Sequence, residues 1–289
     1  MKYYKYLLSD YKFSQKILLL FVILLFQELS SQKIKKDYPL SKEIEETSGL
    51  EIVDDLLVTH NDSGGEASLY YLSKKGKIIN KRKIKSTTNK DWEDITRDDK
   101  YLYVGDFGNN FSNRKDLKIF KVPLKSKSEE KNEVILFNYP EQKSFRINRN
   151  TIYDAEGLIS IDNKLVIFTK NRAKKITELY LVPKAPGKYN AKKIGSLKVK
   201  SIVTGADYNE KLKLLALTST KDFIDYYLII IDNFSLNFEK DYKIKTYLIP
   251  IGKTQVEAVK IIDKKNFWIT SEDEKISKFA RLMKFSLQN

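Results

Sequence analysis

Five short segments of similar character recur along the chain, and this repetition constrains the fold more tightly than any other feature. They are TSGLEI (47–52), WEDITR (92–97), AEGLIS (155–160), TGADYN (204–209) and VEAVKI (256–261). Aligned, they place Ser48, Glu93, Glu156, Gly205 and Glu257 at the second position, with spacings of 45, 63, 49 and 52 residues. The third position is small or acidic throughout: Gly49, Asp94, Gly157, Ala206 and Ala258. A second apolar run follows each segment: LLVTHND (56–62), YLYVGDF (101–107), KLVIFTK (164–170), KLLALTS (213–219) and NFWITSE (266–272). A third run comes next in every cycle, such as SLYYL (68–72) and YYLIII (226–231). A fourth, such as EVILFNY (133–139), appears in four of them. The fifth cycle lacks a fourth run, while one run, IKKDYPL (34–40), precedes the first cycle.

The runs are short, rich in Val, Ile, Leu, Phe and Tyr, and bounded by Asp, Asn, Gly and Lys, which is the composition of strands. No stretch after the first thirty residues carries a long 3.6-residue apolar period with caps, so helix is scarce. The expected fold is all-β: a single β-propeller of five four-stranded blades over residues 32–289, with the N-terminal strand closing the last blade. The long stretch 124–152 between the second and third cycles leaves room for an extra hairpin or a degenerate sixth blade, and a pair of β-sandwiches is the alternative architecture.

Residues 1–31 read as a signal peptide rather than as part of the fold. Lys2, Lys5, Lys12 and Lys16 precede ten uninterrupted apolar residues, Ile17 to Phe26, and Ser30 and Ser31 follow. Ten residues are short for a membrane span, which needs roughly 20; an uncleaved anchor is the alternative. No cysteine follows the apolar block to take a lipid. The protein is therefore expected to be exported, periplasmic or secreted, in a Gram-negative bacterium, and to be monomeric with no stable membrane span after cleavage.

Composition removes whole classes of chemistry. With no cysteine there are no disulfides, thiolate metal sites or cysteine nucleophiles, and with one histidine, His60, no multi-histidine zinc site. Lys and Arg number 53 against 38 acids, a net charge of +15. The seven arginines are few for nucleic-acid recognition, which favours bidentate guanidinium contacts. The lysine-rich balance reads as compositional bias or as a polyanion-binding surface, with no nucleic-acid partner expected. There is no GxSxG nucleophile elbow and no Walker-type phosphate loop.

The motifs ETSGL, THNDSGG, DWEDI, YVGDFGNN, DAEGL and VEAV together resemble a group of uncharacterised exported bacterial β-propeller proteins, itself similar to the phytase-like (esterase-like) and SdiA-regulated propellers. The similarity runs from about Glu46 to the C-terminus. It implies an extracytoplasmic propeller, often associated with calcium. Propeller phytases use acidic clusters with Lys and Arg around bridged calcium ions, and those clusters do not map residue by residue onto this chain.

In a propeller the innermost strands converge on a central channel, and loops at one mouth carry function. If the repeated segment is that strand, Glu93, Glu156 and Glu257 meet at the axis, with Asp94, Asp154 and Asp207 beside them. Such acids need a cation, a proton or a lysine nearby, and an all-oxygen set favours Ca2+ or Mg2+ over zinc. The expected metal ligands are Glu93, Asp94, Asp154, Glu156 and Glu257. The competing reading makes each glutamate a clip onto the backbone of the next blade. Features that occur once are the candidate ligand site: His60, Asn61 and Asp62 leading into Gly64–Gly65; Asp106, Asn109, Asn110 and Arg114; Lys170 and Arg172; and Glu272. The mouth is formed by loops 60–66, 105–114, 169–174 and 271–276, and its mixed charge suits a polar or anionic small molecule, a glycan or an envelope partner. Two functional classes follow: a cation-assisted binding propeller, or a hydrolase, either a metal-assisted phosphoesterase or a glycosidase, using channel carboxylates.

Overall fold

The computed structural model describes residues 32–125, 132–238, 241–272 and 279–287. The basic and apolar segment 1–31 lies outside them, as do the loop residues 273–276. The described strands form five sheets arranged as a five-bladed β-propeller with almost no helix. Strand β1 (Gln32–Pro39) comes first. Blade one is β2 (Thr47–Val53), β3 (Leu56–Asn61), β4 (Ser68–Leu72) and β5 (Ile78–Lys83). Blade two is β6 (Trp92–Arg97), β7 (Tyr101–Asp106), β8 (Lys118–Pro123) and β9 (Glu133–Asn138). Blade three is β10 (Asp154–Ile161), β11 (Lys164–Lys170) and β12 (Thr177–Pro183), then, after a short strand β13 (Gly187–Asn190), β14 (Lys192–Leu197). Blade four is β15 (Ile202–Asn209), β16 (Leu214–Thr220), β17 (Tyr226–Asp232) and β18 (Ile244–Ile249). Blade five is β19 (Val256–Ile261), β20 (Asn266–Ser271) and β21 (Arg281–Leu287).

β1 supplies the fourth strand of blade five, antiparallel to β21 from Gln32↔Leu287 to Pro39↔Arg281. The closure is reinforced by the Arg281–Asp37 ion pair and by Leu40 N–H donating to the carbonyl of Ala280 at 2.7 Å. Among the described residues of the 124–152 stretch no sixth blade is inserted. The stretch contributes β9 and a mouth-side connection to β10. β13 is an addition that the sequence pattern does not announce: it leaves blade three and pairs in parallel with β9, widening blade two to five strands.

The runs lack polar–apolar alternation because both faces of each blade are packed. On β11, Leu165 and Ile167 join the layer between blades two and three, whereas Val166 and Phe168 join that between blades three and four. β16 divides in the same way, with Leu215 and Leu217 on one side and Leu214 and Ala216 on the other. Five such layers separate the five blades.

The inner strands β2, β6, β10, β15 and β19 stand side by side in that order, and β19 returns to β2. Each is bulged near its start. The bulged residue is Glu93, Glu156, Thr204 or Glu257 in blades two to five, flanked by paired neighbours such as Trp92↔Asp106 and Asp94↔Gly105. The motif of blade four is thus aligned one residue earlier than its sequence suggests, with Thr204 rather than Gly205 at the repeated position. The small residues beside the bulge follow from crowding at the axis. A Cβ on Gly157 would stand 2.8 Å from Cβ of Ala206. Gly49, in the wider bulge of blade one, has φ +64°, and a Cβ there would lie 2.8 Å from the Ile95 nitrogen.

Candidate functional site

The second position of the motif has two fates, which resolves whether it clips blades or faces the channel. In blades one and four it is a hydroxyl and it clips. Ser48 Oγ donates to the carbonyl of Glu93 at 2.5 Å, and Thr204 Oγ1 to the carbonyl of Val256 at 2.6 Å. In blades two, three and five it is glutamate, and among the described residues no backbone N–H donates to Glu93, Glu156 or Glu257. The acidic clips sit elsewhere on the inner strands. Asp94 accepts from the N–H groups of Ile95 (2.8 Å), Leu158 (2.8 Å) and Ala206 (3.2 Å), tying blades two, three and four together across the axis. Asp207 accepts from Ile261 N–H at 2.7 Å and pairs with Lys260 at 2.8 Å, and Lys260 also reaches Glu51 at 2.5 Å. This deeper layer is closed by its own partners. Asp94, expected among the metal ligands, belongs to it and has both oxygens occupied.

The mouth layer is not balanced in this way. Asp62, Asp91 and Glu93 offer oxygens that all lie within 4.8 Å of one another, and so do Glu93, Asp154 and Glu156. Glu93 is common to both groups. Glu257 is close enough to interact with Glu156 and Asp62. Against these six acids stand three cations, of which Arg114 is the most distant, its Nη1 3.9 Å from Asp91 Oδ2. Lys170 Nζ lies 2.5 Å from Glu156 Oε2, and Arg172 donates to Asp154 Oδ2 at 2.7 Å and to Asn110 Oδ1 at 2.7 Å. Glu156 is buried with its Oε1 unpartnered, and Oδ1 of Asp62 is likewise buried and without a partner.

Burial and mutual repulsion shift the titration of this layer. Burial, with repulsion from Asp91, pushes Asp62 up to about 7. Burial lifts Asp91 to about 6 against the pull of Arg114, with Asp154 and Asp106 adding repulsion. Glu93 is raised well above the usual carboxylate value by burial and then by Glu156 and Asp62. Burial also raises Glu156, against the pull of Lys170, and Glu257, with Glu272 adding repulsion. Burial alone would lower Lys170, but Glu156, Asp154, Glu93 and Glu257 outweigh it and hold the ammonium charged.

Other expected site residues form the frame rather than the lining. His60 is fully buried under blade two, its ring edge-on to Trp92 at 5.5 Å and its Nδ1 3.0 Å from the Asn61 carbonyl. Burial drops it to about 4, so it is neutral and does not reach a ligand. Asn61 donates to the carbonyl of Glu43 at 2.8 Å, while its own carbonyl accepts from Asn89 at 2.9 Å. Asn109 is buried, donating its N–H to Asp154 Oδ1 at 2.8 Å and accepting from Arg114 N–H at 3.0 Å. The Arg114 guanidinium bonds Asp106 Oδ1 (2.7 Å), the Gly108 carbonyl (2.9 Å) and Asp116 Oδ1 (3.3 Å) and stands 3.9 Å from Asp91 Oδ2, so the buried Asp106 and Arg114 brace the 107–114 loop from behind Asp91. Glu272 bonds Gln255 at 2.9 Å beside Glu257. The residues brought together are thus Asp62, Glu93, Asp154, Glu156, Lys170, Arg172 and Glu257.

Asp91 was missed, although DWED carries the signal. Its two acids flank Trp92, and Asp91, one residue before β6, and Glu93, at its bulge, bring their oxygens to the same place. Gly108 completes the cradle: its backbone lies so close to Glu93 Oε1 and Asp91 Oδ2 that a Cβ would displace both carboxylates.

No family profile matches the chain, and no curated protein matches it. Similar solved structures include the PQQ-bound aldose sugar dehydrogenase of Streptomyces coelicolor, at 11% identity over 89% of this chain and 98% of that one, with a TM-score of 0.49. A Bacteroides fragilis protein described as exported is 12% identical over 90% and 96% of the two chains, with a TM-score of 0.43. The exo-β-1,3-galactanase of Phanerochaete chrysosporium is 9% identical over 88% of this chain and 64% of that one, with a TM-score of 0.45. These likenesses are too distant to carry an activity across, and function rests on the residues of the site. Among the described residues no helix is long and apolar enough to cross a membrane.

Proposed function

We propose that the channel mouth binds a divalent cation of the oxygen-seeking kind, Ca2+ or Mg2+, and uses it to hold a polar or anionic ligand. The observation that carries this reading is the excess of acid: six carboxylates face one lysine and two arginines, Arg172 and the more distant Arg114, with a buried oxygen of Glu156 unpartnered among them. Unpaired buried carboxylates are costly unless neutralised by protons or a cation. Asp62, Asp91, Glu93, Asp154 and Glu156 would supply the ligands, in keeping with the preference of Ca2+ for several carboxylate and carbonyl oxygens. Lys170 and Arg172, beside them, are placed to meet the anionic part of a ligand. In this reading the protein is an exported binding propeller, and its partner is a small molecule, a glycan or an envelope component with anionic groups.

Thermal melts with EDTA and with millimolar Ca2+ or Mg2+ test it. The cation is expected to raise the Tm by several degrees, since it binds the folded state alone. Glu156→Gln should abolish the rise and, by removing a buried charge, should stabilise the metal-free protein at neutral pH. Gly108→Ala should also abolish the rise, by filling the cradle. A Tm that neither cation moves, together with a destabilised Glu156→Gln, would make the glutamate a structural group.

A further inference from the structure

The loops that surround the mouth expose apolar side chains that the channel does not use. Among the described residues Phe111, Ile147, Phe223, Ile224 and Phe279 are large, apolar and exposed on connections at this end of the propeller, and Leu248 lies near this end of β18. Ile79 and Ile262 are the exposed large apolar residues toward the other end. Scattered apolar residues on a surface mean little, but a one-sided set marks an interaction face. Ile147 is the most exposed, at 74%.

The tips are linked into one arc over blades two to four. Asn148 N–H donates to the Phe111 carbonyl at 2.9 Å. Arg172 bonds Asn110, and Lys175 Nζ donates to the Lys221 carbonyl at 3.1 Å, next to Phe223. Exposed cations stand between the tips: Lys143, Arg146, Arg149, Lys174, Lys175 and Lys221. The Arg149 guanidinium lies 5.1 Å above the Phe111 ring. Exposed acids on the arc are fewer, Glu141, Asp222 and Asp225, and Asp222 accepts from the N–H groups of Ile224 and Asp225. The carboxylates of the mouth are recessed below this rim, so the face presented outward is basic with apolar tips.

We infer that this rim docks on an anionic lipid surface, with Ile147, Phe223 and Ile224 entering the acyl boundary and the flanking Lys and Arg meeting lipid phosphates. Shallow apolar insertion combined with a basic collar is the two-part recognition that peripheral proteins use. The aliphatic tips Ile147 and Ile224 favour lipid over an anionic polysaccharide, because a branched side chain offers no flat ring for a sugar to stack on, and Arg149 already covers the Phe111 ring; the exposed Phe223 ring suits either surface.

The test uses the chain from Gln32 onward, which contains every strand of the closed ring and lacks the apolar segment 17–26. Flotation is measured in EDTA with vesicles of phosphatidylglycerol and phosphatidylcholine, and with phosphatidylcholine alone. Binding is expected only with the anionic lipid, falling as salt rises. Changing Ile147, Phe223 and Ile224 together to serine should weaken it about ten-fold with an unaltered melt, and Arg146→Gln with Arg149→Gln should weaken it and flatten the salt dependence. The inference fails if anionic vesicles are not bound, or if the triple serine variant binds them as tightly as the parent. It also fails if dextran sulfate is bound equally by both proteins while vesicles are ignored, the result a polysaccharide-binding rim would give. Because EDTA is present throughout, these outcomes are independent of the cation site.

Discussion

Asp94→Ala is expected to destabilise the propeller by about 5 kcal/mol, roughly a third or more of the stability of a typical domain. The carboxylate accepts three backbone N–H groups, one from its own strand and one each from the inner strands of blades three and four. Each stranded buried donor costs about 1–3 kcal/mol, and removing the buried carboxylate returns part of that sum. Burial holds Asp94 well above the usual carboxylate value, although the three donors pull it down, which is the sign of that partial offset. Asp94→Asn keeps one acceptor oxygen and turns the other into a donor, so it is expected to fall between the parent and the alanine variant. Urea unfolding of the three proteins measures the series, and an alanine variant within about 1 kcal/mol of the parent would show that the axis is held by packing alone. Glu156→Gln is expected to stabilise the metal-free protein, so motif acids of adjacent positions carry opposite signs: Asp94, bonded by backbone N–H groups, holds the ring, and Glu156, crowded among more acids than its lysine can balance, strains it.

That division explains which parts of the molecule the sequence reveals. The strands are legible because each is a short apolar run and both faces are buried, so composition alone marks them. The closing strand is legible because the fifth cycle is one run short. Bulge register is not legible from one strand, since it depends on which residue the neighbour skips; this is why Thr204, followed by two small residues, was aligned one place late. The sequence leaves open whether the glutamates hold a metal or clip the blades, and the clips are made instead by Asp94, Asp207, Ser48 and Thr204, because whether an inner-strand acid meets a backbone N–H or open channel is set by the next blade. His60 has the look of a site residue in THNDSGG, yet Trp92 of the following blade covers it. β13 escapes notice because GKYN is short and polar, and its partner strand belongs to a different blade.

Asp62 and Asp91 alone are expected to make cation affinity at the mouth rise about 1,000-fold between pH 5 and pH 8, because bound ions require the ionised ligands, and the raised Glu93 and Glu156 add in the same direction. Asp62 titrates near 7 and Asp91 near 6. At pH 5 the proton on Asp62 must be displaced at a cost of about 100-fold in affinity and that on Asp91 at about ten-fold, whereas at pH 8 both costs vanish. Lys170 stays charged throughout, held by its carboxylate neighbours, and adds no pH dependence in this range. The metal-free protein should behave in the opposite sense. A carboxyl whose folded value is raised contributes stability that is fully present below its unfolded value, near 4, and is lost as the pH climbs through its folded value. His60 works against this trend at acid pH: its value drops from 6.5 to about 4 on folding, so its neutral burial costs stability as the pH falls through that interval. The window free of histidine is therefore 6.5 to 8, where Asp62 dominates. There the metal-free Tm should decline as pH rises, while the increment produced by Ca2+ grows. Calcium titration calorimetry at pH 5, 6.5 and 8, paired with melts in EDTA, reads both slopes. Asp62→Asn should flatten them together, and an affinity that does not change with pH would remove Asp62 and Asp91 from the ligand set.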